Sequence, residues 1–173
     1  HLKYIASTPM GKSFGSRPAF ETWYNKFNPF VQSIAYYSIA VVLLLLSFVF
    51  FRQPLRITAF WIVASIFVLH TAAIVARVYI SQRPPVTNLY SSAVYIGWAV
   101  VLAGLVIEKL YPIRLGAMIG AAVGVLTLLV AWGLDTSDTM PVLQAVLDTQ
   151  FWLTTHVQCI TLGYAATFFA GFI

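Results

Sequence analysis

Residues 31–51 read "VQSIAYYSIAVVLLLLSFVFF", a run of 21 residues without one charged side chain. A helix that crosses a lipid bilayer needs about 20 mainly apolar residues. The run is therefore long enough to span a membrane, and it is closed by Arg52, Gln53 and Pro54. We take it as the first membrane-spanning helix.

Four further stretches have the same character. They are Ile57–Ala76, Leu89–Ile107, Leu115–Leu134 and Phe151–Ile173. The composition agrees: 60% of the 173 residues are hydrophobic and 9% are charged, whereas a soluble domain has about a quarter of its residues charged. The sequence therefore predicts an all-α, polytopic membrane helix bundle with about five transmembrane helices.

The chain divides into a lead-in, residues 1–30, and a transmembrane domain, residues 31–173. The lead-in mixes charges with Trp23, Tyr24, Phe27 and Phe30. It is either an amphipathic segment in the headgroup layer or a covered part of an adjoining soluble domain. Because the chain begins at a histidine and stops within an apolar stretch, we expect a fragment of a longer protein, truncated at its C-terminus.

Several function classes are excluded. The net charge of +5 is spread thinly over short loops, and a nucleic-acid partner would need clustered Lys and Arg. Cys159 is the single cysteine, so the chain has no CxxCH and is not itself a c-type cytochrome. It also lacks GxSxG, Walker and HExxH motifs, so no catalytic residue can be assigned. Gly116, Gly120 and Gly124 recur every four residues and predict close helix packing.

Two histidines fall inside predicted spans, where ionisable side chains are costly and are candidates for function. His70 is the fourteenth of the twenty residues of its span, and Arg77 follows seven residues later on the same face. His156 lies roughly 8 Å from Phe151 at about 1.5 Å per residue, so it is close to the membrane surface.

One face of the last span combines three residue types. Trp152 precedes His156 by four residues, and Gly163 follows it by seven. A flat aromatic ligand could stack on the indole, use the imidazole as an axial ligand of its iron, and lie against the glycine. A histidine hydrogen-bonded to a neighbouring helix or to water fits the same pattern.

Positive charge does not orient the chain. Near the spans the two sides carry four basic residues each, namely Arg52, Arg56, Lys109 and Arg114 against Arg17, Lys26, Arg77 and Arg83; Lys3 and Lys12 add to the second side. The loop Asp135–Gln150 is acidic and contains no Lys or Arg, which favours an outer position.

The stretches "FWLTTHVQCITLGYAATF" and "RPPVTNLYSSAVYIGW" resemble the CcsA/ResC heme-handling proteins of System II cytochrome c assembly. The first matches the family pattern W-L-x-x-H-V followed by a small residue, Tyr and Ala, at Trp152, Leu153, His156, Val157, Gly163, Tyr164 and Ala165. The second matches at Pro85, Asn88, Tyr90 and Trp98. Ser91 stands where the family usually has Glu.

The resemblance implies a role in cytochrome c biogenesis. Heme b, as the transported substrate, would be held at the outer face between two histidines and a Trp-rich loop, and then joined to the CxxCH thiols of apocytochrome c. His156 would be the first of these histidines and an axial ligand of the iron. The Trp-rich loop and the second histidine would follow Ile173.

The resemblance also implies partners and a location. A CcsB/ResB-type protein, fused or separate, would accompany the chain in a bacterial inner membrane or a thylakoid-like membrane. The loop Asp135–Gln150 would lie on the outer side. His70 would be a heme contact on the transit path.

Two other classes of protein remain open on the residues alone. A transporter would line a substrate path with His70 and Arg77. A b-heme electron-transfer subunit would pair His70 with His156.

Overall fold

The computed structural model describes residues 17–50, 52–81, 84–111, 115–134 and 150–172, with the backbone alone at 17–19, 52, 150–154 and 172. Within these ranges every regular element is an α-helix, which confirms the predicted fold class. The helices are α1 (Arg17–Phe27), α2 (Pro29–Val49), α3 (Arg52–Ser81), α4 (Leu89–Leu110), α5 (Leu115–Gly133) and α6 (Gln150–Phe172).

Four helical segments of the described chain are long and apolar enough to cross a membrane. They are Phe20–Val49, Gln53–Ser81, Leu89–Leu110 and Leu115–Gly133. Four helices of this length and hydropathy are those of an integral membrane protein. The predicted fifth span is a helix at the expected place, Gln150–Phe172. It is not among these four segments of the described chain, and it carries polar residues that include His156 and Gln158.

The second span is longer than predicted. α3 covers 30 residues, where the apolar pattern indicated Ile57–Ala76. Pro54 falls in its first turn, where a helix tolerates proline because the first N–H groups have no partner inside the helix. At the other end α3 stops at Ser81, before Pro84 and Pro85, as expected from the restriction that proline places on the preceding residue.

Asn28 separates the lead-in helix α1 from α2. Its backbone is left-handed, with φ 44° and ψ 64°, a conformation that asparagine adopts more readily than most residues. Pro29 then occupies the start of α2, where its fixed φ suits a helix. Tyr24 of α1 is buried and its hydroxyl donates to the carbonyl of Ala73 on α3 at 3.1 Å. α1 is thereby attached to the bundle, while Trp23 and Phe27 stay exposed.

Glycines bring α4 and α5 into backbone contact, as the four-residue spacing predicted. A Cβ added to Gly120 would lie 3.3 Å from the Cα of Gly104. One added to Gly116 would lie 2.6 Å from the Gly104 carbonyl oxygen and 2.8 Å from the Glu108 nitrogen. The partner face on α4 carries its own small residue, Gly104, which the sequence analysis did not single out.

The remaining helices pack around this pair. α2 packs against α3 and α5, and α3 also contacts α4. The shared core includes Tyr37, Val63, Val101 and Leu128. α6 lies outside this four-helix arrangement and rests mainly on α4, with a smaller contact to α5.

The glycine contact predicts an asymmetric response to one added methyl group. Gly116→Ala should lower the free energy of unfolding by about 1–3 kcal/mol, because backbone atoms cannot move aside as a side chain can. Gly133→Ala is the matched control, since an added Cβ there meets nothing within 4 Å and alanine favours a helix by about 1 kcal/mol over glycine. Unfolding in mixed detergent micelles measures both changes. If the two substitutions changed the free energy of unfolding equally, the backbone contact at Gly116 would be refuted.

Candidate functional site

α6 buries a single stripe of side chains. Thr161, Ala165 and Phe169, spaced by four residues, are the buried positions among its described side chains. Ala165 and Phe169 join a cluster with Val100 of α4 and Val123 of α5. The buried hydroxyl of Thr161 has a hydrogen-bond partner, because it donates to the Val157 carbonyl at 2.6 Å. This stripe fixes the rotation of α6 about its own axis.

The predicted site residues lie on the opposite face of α6. With about 3.6 residues per turn, positions 152, 156 and 163 point away from the buried stripe. His156 and Gly163 are exposed, and a Cβ added to Gly163 would meet nothing within 4 Å. For Trp152 the backbone alone is described, and it lies on this face. We call the face defined by Trp152, His156 and Gly163 the outward face of α6.

The outward face can accept a flat ligand on one side. The His156 side chain is exposed, and Gly163 leaves the backbone without a side chain two turns later. Cys159 is exposed as well. The described residues supply one wall and no second one, and they contain no group of three or more His, Cys, Asp or Glu that could hold a metal ion.

His70 occupies a contrasting environment. Its side chain is wholly buried, and it meets the rings of Phe30 and Tyr37 edge-on at centroid distances of 5.8 Å and 6.2 Å. Neither ring nitrogen has a hydrogen-bond partner within the described residues, and the same holds for the Tyr37 hydroxyl. The backbone of Val94 on α4 lies close to the imidazole. A large ligand reaches His70 only if Phe30 and Tyr37 move.

The structure does not bring the two histidines together. His70 lies among α2, α3 and α4, whereas His156 projects from the face of α6 that is turned away from the bundle. One iron cannot be ligated by both in this arrangement, which does not favour the b-heme subunit. Arg77 packs its guanidinium over the Tyr90 ring at 4.6 Å, which is a contact between α3 and α4.

The segment after the Pro-Pro pair forms a helix cap. Asn88 Oδ1 accepts a hydrogen bond from the Ser91 backbone N–H at 2.8 Å, and Ser91 Oγ accepts one from the Asn88 N–H at 2.9 Å. This reciprocal pair is a capping box, in which Glu usually fills the third helical position. Ser91 performs the same task here, so its departure from the family pattern leaves the local structure intact.

Trp98 joins α3 to α4 within the bundle. Its indole N–H donates to Thr71 Oγ1 at 2.9 Å, and its ring stacks on Phe67 at 5.7 Å and on Tyr95 at 5.4 Å. Tyr90 likewise packs against Phe30. Two residues of the second motif therefore connect helices: Trp98 connects α4 to α3, and Tyr90 connects α4 to α2.

Sequence reasoning missed a charged pair at the far end of α4. Glu108 is buried, and its Oε1 lies 4.0 Å from Arg56 Nε on α3. The predicted span was closed at Ile107 because Glu108 and Lys109 were read as loop residues. The sequence did contain a signal for this pair. α3 begins with basic residues, and because α4 runs antiparallel to α3, the end of α4 with Glu108 lies at the same side of the membrane as the start of α3.

Comparisons with known proteins support the resemblance. The chain is 24% identical over 159 residues to the cytochrome c biogenesis protein CcsA of Prochlorococcus marinus strain MIT 9515, which covers 81% of this chain and 49% of that protein. It is 30% identical over 99 residues to CcsA of Synechococcus sp. strain CC9311, covering 56% of this chain and 32% of the relative.

A third relative is longer. Protein NrfI of Wolinella succinogenes is 32% identical over 102 residues, which cover 57% of this chain and 11% of NrfI. The chain thus spans about half or less of the length of these curated relatives, and no family model matches it. The predicted resemblance to CcsA-type cytochrome c biogenesis proteins is confirmed at this level of identity.

Proposed function

We propose that this chain is part of a cytochrome c maturation protein and that the outward face of α6 is one wall of its heme site. Heme is the cargo here, to be joined to the CxxCH thiols of an apocytochrome c. The observation that carries the proposal is the position of His156. It is exposed on the side of α6 opposite the buried stripe, and it lies in the motif that resembles the CcsA-type pattern.

The chemistry of the outward face suits a porphyrin. A neutral imidazole is a common axial ligand of heme iron. An indole at position 152 would offer a stacking surface, and Gly163 would let the macrocycle approach the helix backbone because no side chain intervenes. His156 is six residues past the start of α6, roughly 9 Å along the axis, so the iron would sit near the membrane surface, within reach of an extramembrane partner.

The outward face of α6 would supply only one side of the proposed heme site. A heme bound by His156 would expose its other face, and the described residues contain no cluster of three or more His, Cys, Asp or Glu that could complete the coordination. By the family resemblance, a Trp-rich loop and a second histidine beyond Ile173 would complete the coordination. A CcsB/ResB-type partner, fused or separate, would supply the remaining parts of the assembly.

His70 does not compete with His156 as the axial ligand in this arrangement. Its ring is enclosed by Phe30 and Tyr37. A heme contact at His70 during transit would therefore require the N-terminal part of α2, which carries these two rings, to move away from α3. In the closed arrangement the imidazole fills space in the core between three helices.

The side assignment is part of the proposal. We place the loop Asp135–Gln150 at the outer surface of a bacterial inner or thylakoid-like membrane; residues 135–149 of it lie outside the described residues, and Gln150 begins α6. In a Cys159→Ala background, Thr136→Cys should react with a membrane-impermeant thiol reagent on intact cells, and Gln53→Cys should not. Reversed labelling would place the outward face of α6 on the wrong side for a partner outside the membrane.

Ligand replacement tests the role of His156. In the full-length protein, His156→Gly should lose most of the bound heme or its native spectrum, and added imidazole should restore part of it, because a small base can enter an exposed gap. His70→Gly is the matched control, since its enclosed cavity admits imidazole poorly and also costs packing. Heme absorbance per purified protein decides the matter. Full heme content with an unchanged spectrum in His156→Gly would refute the proposed wall.

A further inference from the structure

Two clefts adjoin on the lipid-facing side of α3 and share Ile57 and Trp61. The smaller one, of about 260 Å³, lies between the start of α3 and the end of α4. Arg56, Glu108 and Lys109 give it a polar lining. Neither the outward face of α6 nor His70 contributes to it.

The larger cleft has an apolar lining. It holds about 600 Å³ and follows α3 from Ile57 and Trp61 to Ile66 and Leu69, with Tyr36 of α2 on its other side. The two clefts together make one amphipathic groove, with a charged end at the membrane surface and a long apolar part that runs into the bilayer. We call it the α3 groove.

The dimensions of the α3 groove match one leaflet of a bilayer. Ile57 and Leu69 are twelve residues apart, roughly 18 Å along a helix at 1.5 Å per residue. The hydrocarbon core of a bilayer is about 30 Å thick, so one leaflet contributes about half of that. A hydrocarbon chain that enters at the charged end and follows the groove would remain at its normal depth and orientation.

The charged end favours an anionic group. Glu108 is buried against Arg56, with 4.0 Å between Oε1 and Nε, and this pair is close to neutral. Lys109 is exposed beside it, which leaves one positive charge in excess. Trp61, 65% exposed at this level, is a residue type that collects at the headgroup layer.

We infer that the α3 groove is a binding site for an anionic phospholipid, with its phosphate at Arg56 and Lys109 and one acyl chain along α3. The inference is independent of the proposed heme site, which lies on a different helix. A bound lipid of this kind would fill the seam between α2 and α3 and neutralise the excess charge at the end of the bundle.

Lipid titration of the full-length protein in detergent, followed by native mass spectrometry, tests the inference. The probes are phosphatidylglycerol and phosphatidylcholine with identical acyl chains. The native protein should bind phosphatidylglycerol more tightly. Lys109→Gln should weaken phosphatidylglycerol binding about fivefold, the contribution expected of one basic residue near an anionic surface, and leave phosphatidylcholine binding unchanged. Trp61→Leu should weaken the binding of both lipids.

Matched controls come from the same chain. Lys26 is also exposed, and Trp132 is 62% exposed on α5, so Lys26→Gln and Trp132→Leu remove the same groups outside the α3 groove. Both controls should bind lipid as the native protein does. The inference fails if Lys109→Gln and Lys26→Gln behave alike, if the two lipids bind equally to the native protein, or if heme displaces phosphatidylglycerol in a Lys109-dependent manner.

Discussion

The backbone contact between α4 and α5 is the interaction on which the rest of the bundle depends. In lipid, the hydrophobic effect contributes little free energy to helix association, because lipid tails are as apolar as the side chains. Helices associate instead by close packing, and small residues at the interface let the backbones approach each other. Gly104, Gly116 and Gly120 supply that interface. Because α4 is held to α5 on one face, its other faces are available to α3, through Trp98 and Thr71, and to α6.

The site follows from how α6 uses what remains. It packs through the Ala165 and Phe169 stripe, and this leaves its other long face to whatever lies beyond the described bundle. A polar face on a helix next to lipid is costly unless a ligand or partner covers it, and the outward face carries His156. We propose that this face is one part of a heme site; the chain itself covers about half or less of the length of its curated relatives.

Sequence patterns predicted the helices and the glycine seam because length, hydropathy and four-residue spacing are local properties. The rotation of α6 was not predictable in the same way: the motif placed Trp152, His156 and Gly163 on one face, but only tertiary packing determines which face is buried. The same holds for His70, whose enclosure by Phe30 and Tyr37 joins parts of the chain about 30 to 40 residues apart.

Electron paramagnetic resonance of the full-length, heme-loaded protein would show whether His156 is an axial ligand of the heme iron, as we propose. His156→Met replaces an imidazole with a thioether at the same position. We expect this variant to retain heme with a changed axial ligand field, and His70→Met to leave the spectrum of the iron as it is in the native protein. An unchanged spectrum in His156→Met, or a changed one in His70→Met alone, would contradict the proposal.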